Sequence, residues 1–203
     1  MGKRSQEVIA TIERNLGRGL PAGFADDYQR RTLRRLRADL RPVNGVQEFI
    51  ATFQRLPRCI ASSSSPDRLA TCLEVLGMES LFQGRVFSAS TVARGKPHPD
   101  IFLHAAAEIG VERERCIIIE DSAGGVIGGR AAGATVIGLL AAGHTRDGHG
   151  AALADAGAHH GVRTYRKAEE VVRTLVGTWQ GEDNLSRVTG HGLRLDSSQR
   201  SNY

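Results

Sequence analysis

Apolar residues along the first forty positions recur at helical spacing. Val8, Ile9, Ile12 and Leu16 share one face of a helix predicted over Ser5–Leu16, and Gly17 with the Gly19-Leu20-Pro21 run brings it to an end. Phe24, Tyr28, Leu33, Leu36 and Leu40 mark a second helix, with Arg30, Arg31, Arg34, Arg35 and Arg37 largely off its apolar stripe. After a connection at 42–45 the pattern changes. Helical segments at 46–56, Pro66–Leu76, 100–109, 125–132 and 168–176 alternate with short apolar runs at 58–61, 85–88, 116–120 and Thr135–Leu139, and a further run is expected to start at Val162. Short apolar runs bounded by turn signals read as buried parallel strands. Their alternation with helices predicts an α/β fold with a doubly wound parallel sheet. Three segments follow: a small all-helical piece over 1–41, an α/β core over 42–180, and a polar stretch over 181–203 read as a disordered tail.

Ligands of open parallel sheets sit at the carboxyl ends of the strands, so residues there carry the candidate chemistry. Ile117-Ile118-Ile119 runs straight into Glu120-Asp121-Ser122 and a Gly-rich turn. Two adjacent carboxylates are costly to bury without a counter-ion, and a hard divalent cation such as Mg²⁺ is their natural partner. The plainer alternative is that they cap the next helix. Four serines follow the strand ending at Ala61. Ser62, nearest the strand end, is the candidate for holding an anion, while Ser64 or Ser65 is placed to cap the helix opening at Pro66. In Gly95-Lys96-Pro97-His98-Pro99-Asp100, a lysine precedes two prolines and is expected on a stiff, extended segment. Lys96 there is either a compact charge for a phosphate or an ordinary surface lysine.

The order of these features is specific. Ser62 precedes Lys96 by 34 residues, and Lys96 precedes Glu120 by 24. The chain resembles the haloacid dehalogenase superfamily of hydrolases, in the branch of β-phosphoglucomutase and sugar-phosphate phosphatases. IASSSS is similar to that family's second motif, GKPHPDIF to its third and IIIEDSAGGV to its fourth, and the likeness covers roughly residues 2–177. The resemblance implies a Rossmannoid core, a helical cap over 1–41, Mg²⁺ as cofactor, and a phosphorylated small molecule as substrate. It also implies an aspartyl-phosphate intermediate, with a second aspartate two positions beyond the nucleophile as general acid and base. In that scheme Ser62 and Ser63 bind the phosphoryl group. Lys96 contacts both phosphate and nucleophile, and Asp121 and Glu120 hold the metal, Glu120 directly or through water. Lys3 and Arg4 lie where relatives carry cap residues facing the substrate.

The family's first motif, Asp-x-Asp after an apolar strand, does not occur in these 203 residues. Asp26-Asp27 lies in a predicted helix with no preceding strand, and Asp147 and Asp155 lie in a Gly/Ala/His-rich region after the last clear strand. The sequence from Gly2 resembles the middle of a cap that is normally inserted just after the first strand. The expectation is a core lacking its first strand, with unpaired edges on two neighbours and negligible hydrolysis. A non-catalytic phosphate or metal binder and a phosphomutase remain open as alternatives.

Composition changes this picture little. The chain is 40% hydrophobic and 24% charged, with no apolar stretch long enough to span a bilayer and no signal-like h-region. Of 27 basic and 22 acidic residues, ten and five fall in 1–41, which leaves 17 of each elsewhere. The excess of +5 is therefore local. Without aromatic interleaving or a recognition motif it argues against a nucleic-acid partner. Cys59, Cys72 and Cys116 have no metal-like spacing; Cys59 and Cys116, in apolar strand-like runs, read as small buried hydrophobes of a cytoplasmic protein. His144, His149, His159 and His160 are irregularly spaced in a Gly/Ala-rich setting and read as loop histidines. Oligomeric state is not legible in the sequence.

Overall fold

A computed structural model describes residues 5–141 and 147–189, with side chains over 8–141 and 147–179. The elements, in chain order, are α1 (Ser5–Leu16), α2 (Phe24–Asp39), α3 (Val46–Thr52), β1 (Ile60–Ser62), α4 (Pro66–Leu76), α5 (Glu79–Phe82), β2 (Val86–Ser88), α6 (Asp100–Glu108), β3 (Ile117–Glu120), α7 (Ala123–Ala131), β4 (Thr135–Leu139), α8 (His149–Asp155), β5 (His160–Val162) and α9 (Tyr165–Thr189). All strand pairs are parallel, so the predicted α/β class holds. Among the described residues the strands form two sheets, β1-β2 and β3-β4-β5. Among those residues no helix is long and apolar enough to cross a membrane.

Alternation along β3 explains how the larger sheet is covered. Ile117 and Ile119 face a cluster of Ile137 and Leu139 from β4, Val162 from β5, and Ala168 and Val172 from α9, against which Phe49 of α3 also packs. Ile118 faces the other side, where Val126 of α7 and Leu153 of α8 pack on Val136. A strand covered on both faces has no polar alternation, as the half-buried Ile-Ile-Ile run shows. A third cluster, Ala89, Ile101, Phe102 and Ala132, brings α6 against Ala61 and Phe87 of the smaller sheet and against Ile118 of the larger one. Helix α6 is thus the apolar bridge between the sheets.

Element ends depart from the sequence pattern in physically readable ways. Helix α3 stops at Thr52, four residues before Leu56, because Pro57 disfavours helical backbone at Leu56, and the chain closes instead through Leu56 N–H to Phe53 O at 2.9 Å. Residues 95–98 are not extended. They form a turn with a cis Lys96–Pro97 bond, closed by His98 N–H donating to Gly95 O at 3.0 Å, the arrangement of a type VI turn. Helix α8 has one buried apolar residue, Leu153, and so no stripe by which to find it. Helix α9 is longer than 168–176 and takes in the first nine residues read as tail, while 190–203 lie outside the described residues. The N-terminal piece is helical, as expected, and α2 packs on α4. Its arginines are solvated: Arg30, Arg31 and Arg35 pair with Asp27 and Asp39 at exposures of 69–83%.

His159 immediately precedes β5, where its Nδ1 accepts from Val136 N–H at 2.9 Å and Arg130 lies against the other ring nitrogen. Burial, then Arg130 and His160, hold its pKa below the usual 6.5. The unfolded chain therefore takes up the proton first as pH falls, and this site's contribution is present above about 6.5 and lost below it. Replacing His159 by Asn is expected to flatten the urea-midpoint profile between about pH 5 and 7. An unchanged slope would show that the ring is indifferent to folding.

Candidate active site

The carboxyl ends of β1 and β3 meet through one side chain. Lys96 Nζ pairs with the Glu120 carboxylate, donates to Ala61 O at 3.2 Å and lies 4.8 Å from the Phe102 ring centroid. Both partners are deeply placed, with side-chain exposures of 6% for Lys96 and 8% for Glu120. A lone ammonium or carboxylate at that depth is unfavourable, and the pair offsets both costs. The loop carrying Lys96 is fixed from both sides. Arg94 clasps Asp100 with its backbone N–H (3.2 Å) and with guanidinium bonds of 3.2 and 2.8 Å, which hold the Asp100 carboxyl below the usual carboxylate range. On the far side Gly128 of α7 lets the loop in: a Cβ there would stand 3.0 Å from His98 O and 3.1 Å from Pro97 O.

Ser122 completes this corner. Its Oγ donates to Glu120 Oε2 at 3.1 Å and accepts from Gly125 N–H at 3.1 Å, so it caps α7 while orienting Glu120. The cap of α7 is therefore Ser122, rather than Glu120 or Asp121. Ser122 is not among the residues expected at the site, and its position directly after the two carboxylates and three residues before Gly125 is the signal for it. Ser122→Ala should lower stability by about 1–3 kcal/mol in urea unfolding, from the lost cap and an under-satisfied Glu120 oxygen. Ser122→Thr, which keeps the hydroxyl, is expected to recover most of it.

Of the other expected site residues, Ser62 ends β1, where its Oγ accepts from Ser64 N–H at 3.2 Å, and Ser63 opens the following turn. Ser64 O in turn accepts from Ser88 Oγ at 2.6 Å, which ties this turn to the end of β2. Ser65 occupies the N-cap position of α4 but makes no side-chain cap bond, and its buried Oγ has no partner among the described residues. Asp121 O meets His149 Nε2 at 2.7 Å, and burial, then the Asp121 charge, pushes the Tyr165 hydroxyl above its usual pKa. His149 is thus the first residue of α8 at the edge of this site, a role that its Gly-rich surroundings concealed. Lys3, Arg4 and His144 lie outside the described residues. Ser62, Lys96, Glu120 and Asp121 thus gather at one end of the strands.

The donor set suits a hard cation only in part. Glu120 and Asp121 are adjacent oxygen donors at a strand end, and Mg²⁺ is commonly held by one or two carboxylates with water and phosphate oxygens completing the shell. Among the described residues no cluster of three His, Cys, Asp or Glu side chains is placed to hold a metal. The two carboxylates fit such an ion as a partial set.

Fold and site together define a parallel α/β protein with a lysine-carboxylate centre at the carboxyl edge of its strands. The haloacid dehalogenase-like hydrolase profile matches residues 2–133, and the chain belongs to that family. It is similar to a haloacid dehalogenase-like protein of unknown function from Agrobacterium tumefaciens, with 35% identity, a TM-score of 0.72, and coverage of 84% of this chain and 78% of that one. A hydrolase from Deinococcus radiodurans, solved with phosphate and sodium bound, shows 31% identity and a TM-score of 0.68 over 86% and 77% of the two chains. Among curated proteins, the 6-phosphogluconate phosphatase of Escherichia coli is 27% identical over 71% of this chain and 66% of its own length. The matched region spans from 22% to 66% of the first four such relatives.

Proposed function

We propose that these residues form the phosphate- and metal-binding part of a Mg²⁺-dependent phosphoric-monoester hydrolase acting on a small phosphorylated metabolite. The observation that carries this reading is the buried Lys96 ammonium, set between the ends of β1 and β3 beside Ser62. Phosphoryl transfer needs fixed positive charge and donors around the equatorial oxygens, with little covalent help from those groups. In this reading Lys96 and Ser62, with Ser63, bind the transferring phosphoryl group. Glu120 and Asp121 would hold Mg²⁺, which supplies charge neutralisation on the phosphate oxygens. Ser122 and the Arg94–Asp100 clasp keep Glu120 and Lys96 in place. Residues 1–41 would form part of a cap over the site, with Lys3 and Arg4 toward the distal end of the substrate. The phosphatase named among the relatives and the phosphate in the Deinococcus structure support an anionic phosphorylated ligand. A cytoplasmic setting agrees with three unpaired thiols.

The nucleophile is a separate matter. A carboxylate attacking phosphorus would release the ester oxygen as an alcohol and leave an acyl phosphate for water to cleave. No Asp-x-Asp sequence is present to perform it. Release of inorganic phosphate from 6-phosphogluconate by this 203-residue chain with Mg²⁺ is expected to be negligible, while inorganic phosphate binds in a Ser62-dependent manner. Robust Mg²⁺-dependent turnover would overturn the inactivity, and absence of phosphate binding by calorimetry would overturn the site. Phosphate binding without turnover even after an Asp-x-Asp strand is fused upstream would favour a binding protein over an enzyme.

A further inference from the structure

Strand β3 has a cavity of about 610 Å³ along one edge, bordered by Cys59 and Cys116, and β4 along the other. On the β4 side the register ends with Glu120 opposite Gly138. Gly138 leaves the strand face bare: a Cβ there would stand 3.2 Å from Leu153 Cδ1 and 3.3 Å from Leu153 Cβ. Helix α8 therefore lies close on β4 at the level of Glu120, with Leu153 buried beneath it. The helix joins two parallel strands, so it runs back against them and its first turn lies toward their carboxyl ends. His149 is four residues before Leu153, on the same helix face and about 6 Å nearer those ends. That offset brings its half-buried ring to Asp121, the first residue past the paired ladder, where Nε2 meets Asp121 O at 2.7 Å. Gly150 lets the helix start sit down on the end of β4, since a Cβ there would stand 3.2 Å from Leu140 Cδ1.

A carbonyl oxygen only accepts, so His149 Nε2 is the donor. The three consecutive residues at the strand end are then each held by a different group. Lys96 pairs with the Glu120 carboxylate, His149 holds the Asp121 carbonyl, and the Gly125 N–H holds the Ser122 hydroxyl. Fixing a carbonyl fixes the plane of its peptide, which restricts the direction in which the Asp121 side chain leaves the backbone. Tyr165, the first residue of α9, borders the same carboxylate: its ring packs on Phe49 at 5.3 Å between centroids, and its hydroxyl senses the Asp121 charge. We infer that His149 is a positioning residue for Asp121, its Nε2–H anchoring the Asp121 carbonyl and thereby aiming the carboxylate at a divalent cation. The role toward the cation rests on the phosphoryl-transfer reading above. A group that orients a metal ligand from behind changes metal affinity by about 10–100-fold when it is lost, without touching the ion.

The probe is Mn²⁺, whose uptake by the 203-residue chain is read from loss of the free-ion electron paramagnetic resonance signal. Uptake should be saturable and abolished by Asp121→Asn. His149→Ala should raise the Mn²⁺ dissociation constant about tenfold, and His149→Gln, whose amide nitrogen can take the place of Nε2, should stay within about threefold of the wild type. Leu153→Val loosens α8 without touching the ring, so it should lower the urea midpoint and leave Mn²⁺ affinity within about threefold. A second readout needs no metal. The carbonyl carbon resonance of Asp121 should move upfield in His149→Ala, where it loses its donor, and return in His149→Gln. A carbonyl response with Gln rescue, but no Asp121-dependent Mn²⁺ uptake by the wild type, leaves the anchor standing and sinks the metal reading. Equal Mn²⁺ affinity in the wild type and His149→Ala overturns the positioning role while the metal reading stands. So does a loss in Leu153→Val as large as that in His149→Ala. A silent carbonyl in His149→Ala overturns the anchor itself.

Discussion

Lys96→Met should lower the stability of the chain by about 3–5 kcal/mol, a large share of the 5–15 kcal/mol typical of a domain. The cost lies mainly in what remains. Glu120 would stay 8% exposed, keep its Ser122 contact and lose its only counter-charge among the described contacts. The loss is testable by comparing urea-unfolding midpoints of the two proteins at pH 7. Adding Glu120→Gln is expected to recover part of the loss, because a neutral amide has no charge to bury. If the single variant unfolds at the wild-type midpoint, the pair is not holding the sheets, and the site assignment loses its physical basis.

Gly125→Ala is expected to be comparably damaging, although it adds one methyl group to a helix. A Cβ at Gly125 would stand 2.1 Å from Glu120 Cδ and 2.2–2.4 Å from both carboxylate oxygens. Either Glu120 rotates out of reach of Lys96, or the first turn of α7 moves off the strand end. Both break the buried pair, for a loss of about 3 kcal/mol or more, with phosphate binding lost as well. The neighbouring Gly124 is the control. A Cβ there meets nothing within 4 Å, and alanine is the better helix former, so Gly124→Ala should be neutral or stabilising by up to about 1 kcal/mol. Similar denaturation midpoints for the two variants would show that the crowding is relieved cheaply.

Much of this was legible in the sequence, for reasons that differ by element. Pro66–Leu76 and Thr135–Leu139 have their expected bounds because strong local signals agree with burial: Pro at the first turn of one, and a run buried on both faces in the other. Helix α8 was not legible, since a seven-residue segment with a single core residue carries no period. Motif order names candidate residues but not their wiring. Lys96 was expected to face a phosphate and Glu120 a metal, and the structure pairs them with each other across 24 positions of chain. Nothing in the local sequence encodes that distance, because it arises from the turn at 95–98 and from the close approach that Gly128 allows. Ser122 was hidden for the opposite reason: beside two carboxylates, a serine looks like filler.

Cys59 borders the space between the sheets, and its thiol is pushed up to about 11, first by burial and then by Cys116, with Arg85 opposing. Cys116, on the facing wall, is also raised, by burial and by Glu114. At pH 7 only about one Cys59 in ten thousand is a thiolate, roughly a hundredfold fewer than at the unshifted value of 9.0. Alkylation, which consumes the thiolate, is therefore throttled by the wall itself. Each transient parting of the sheets would expose a faster-reacting sulfur, so the rate at which a maleimide consumes Cys59 is a clock for breathing of the molecule along this seam, read without unfolding the rest of it.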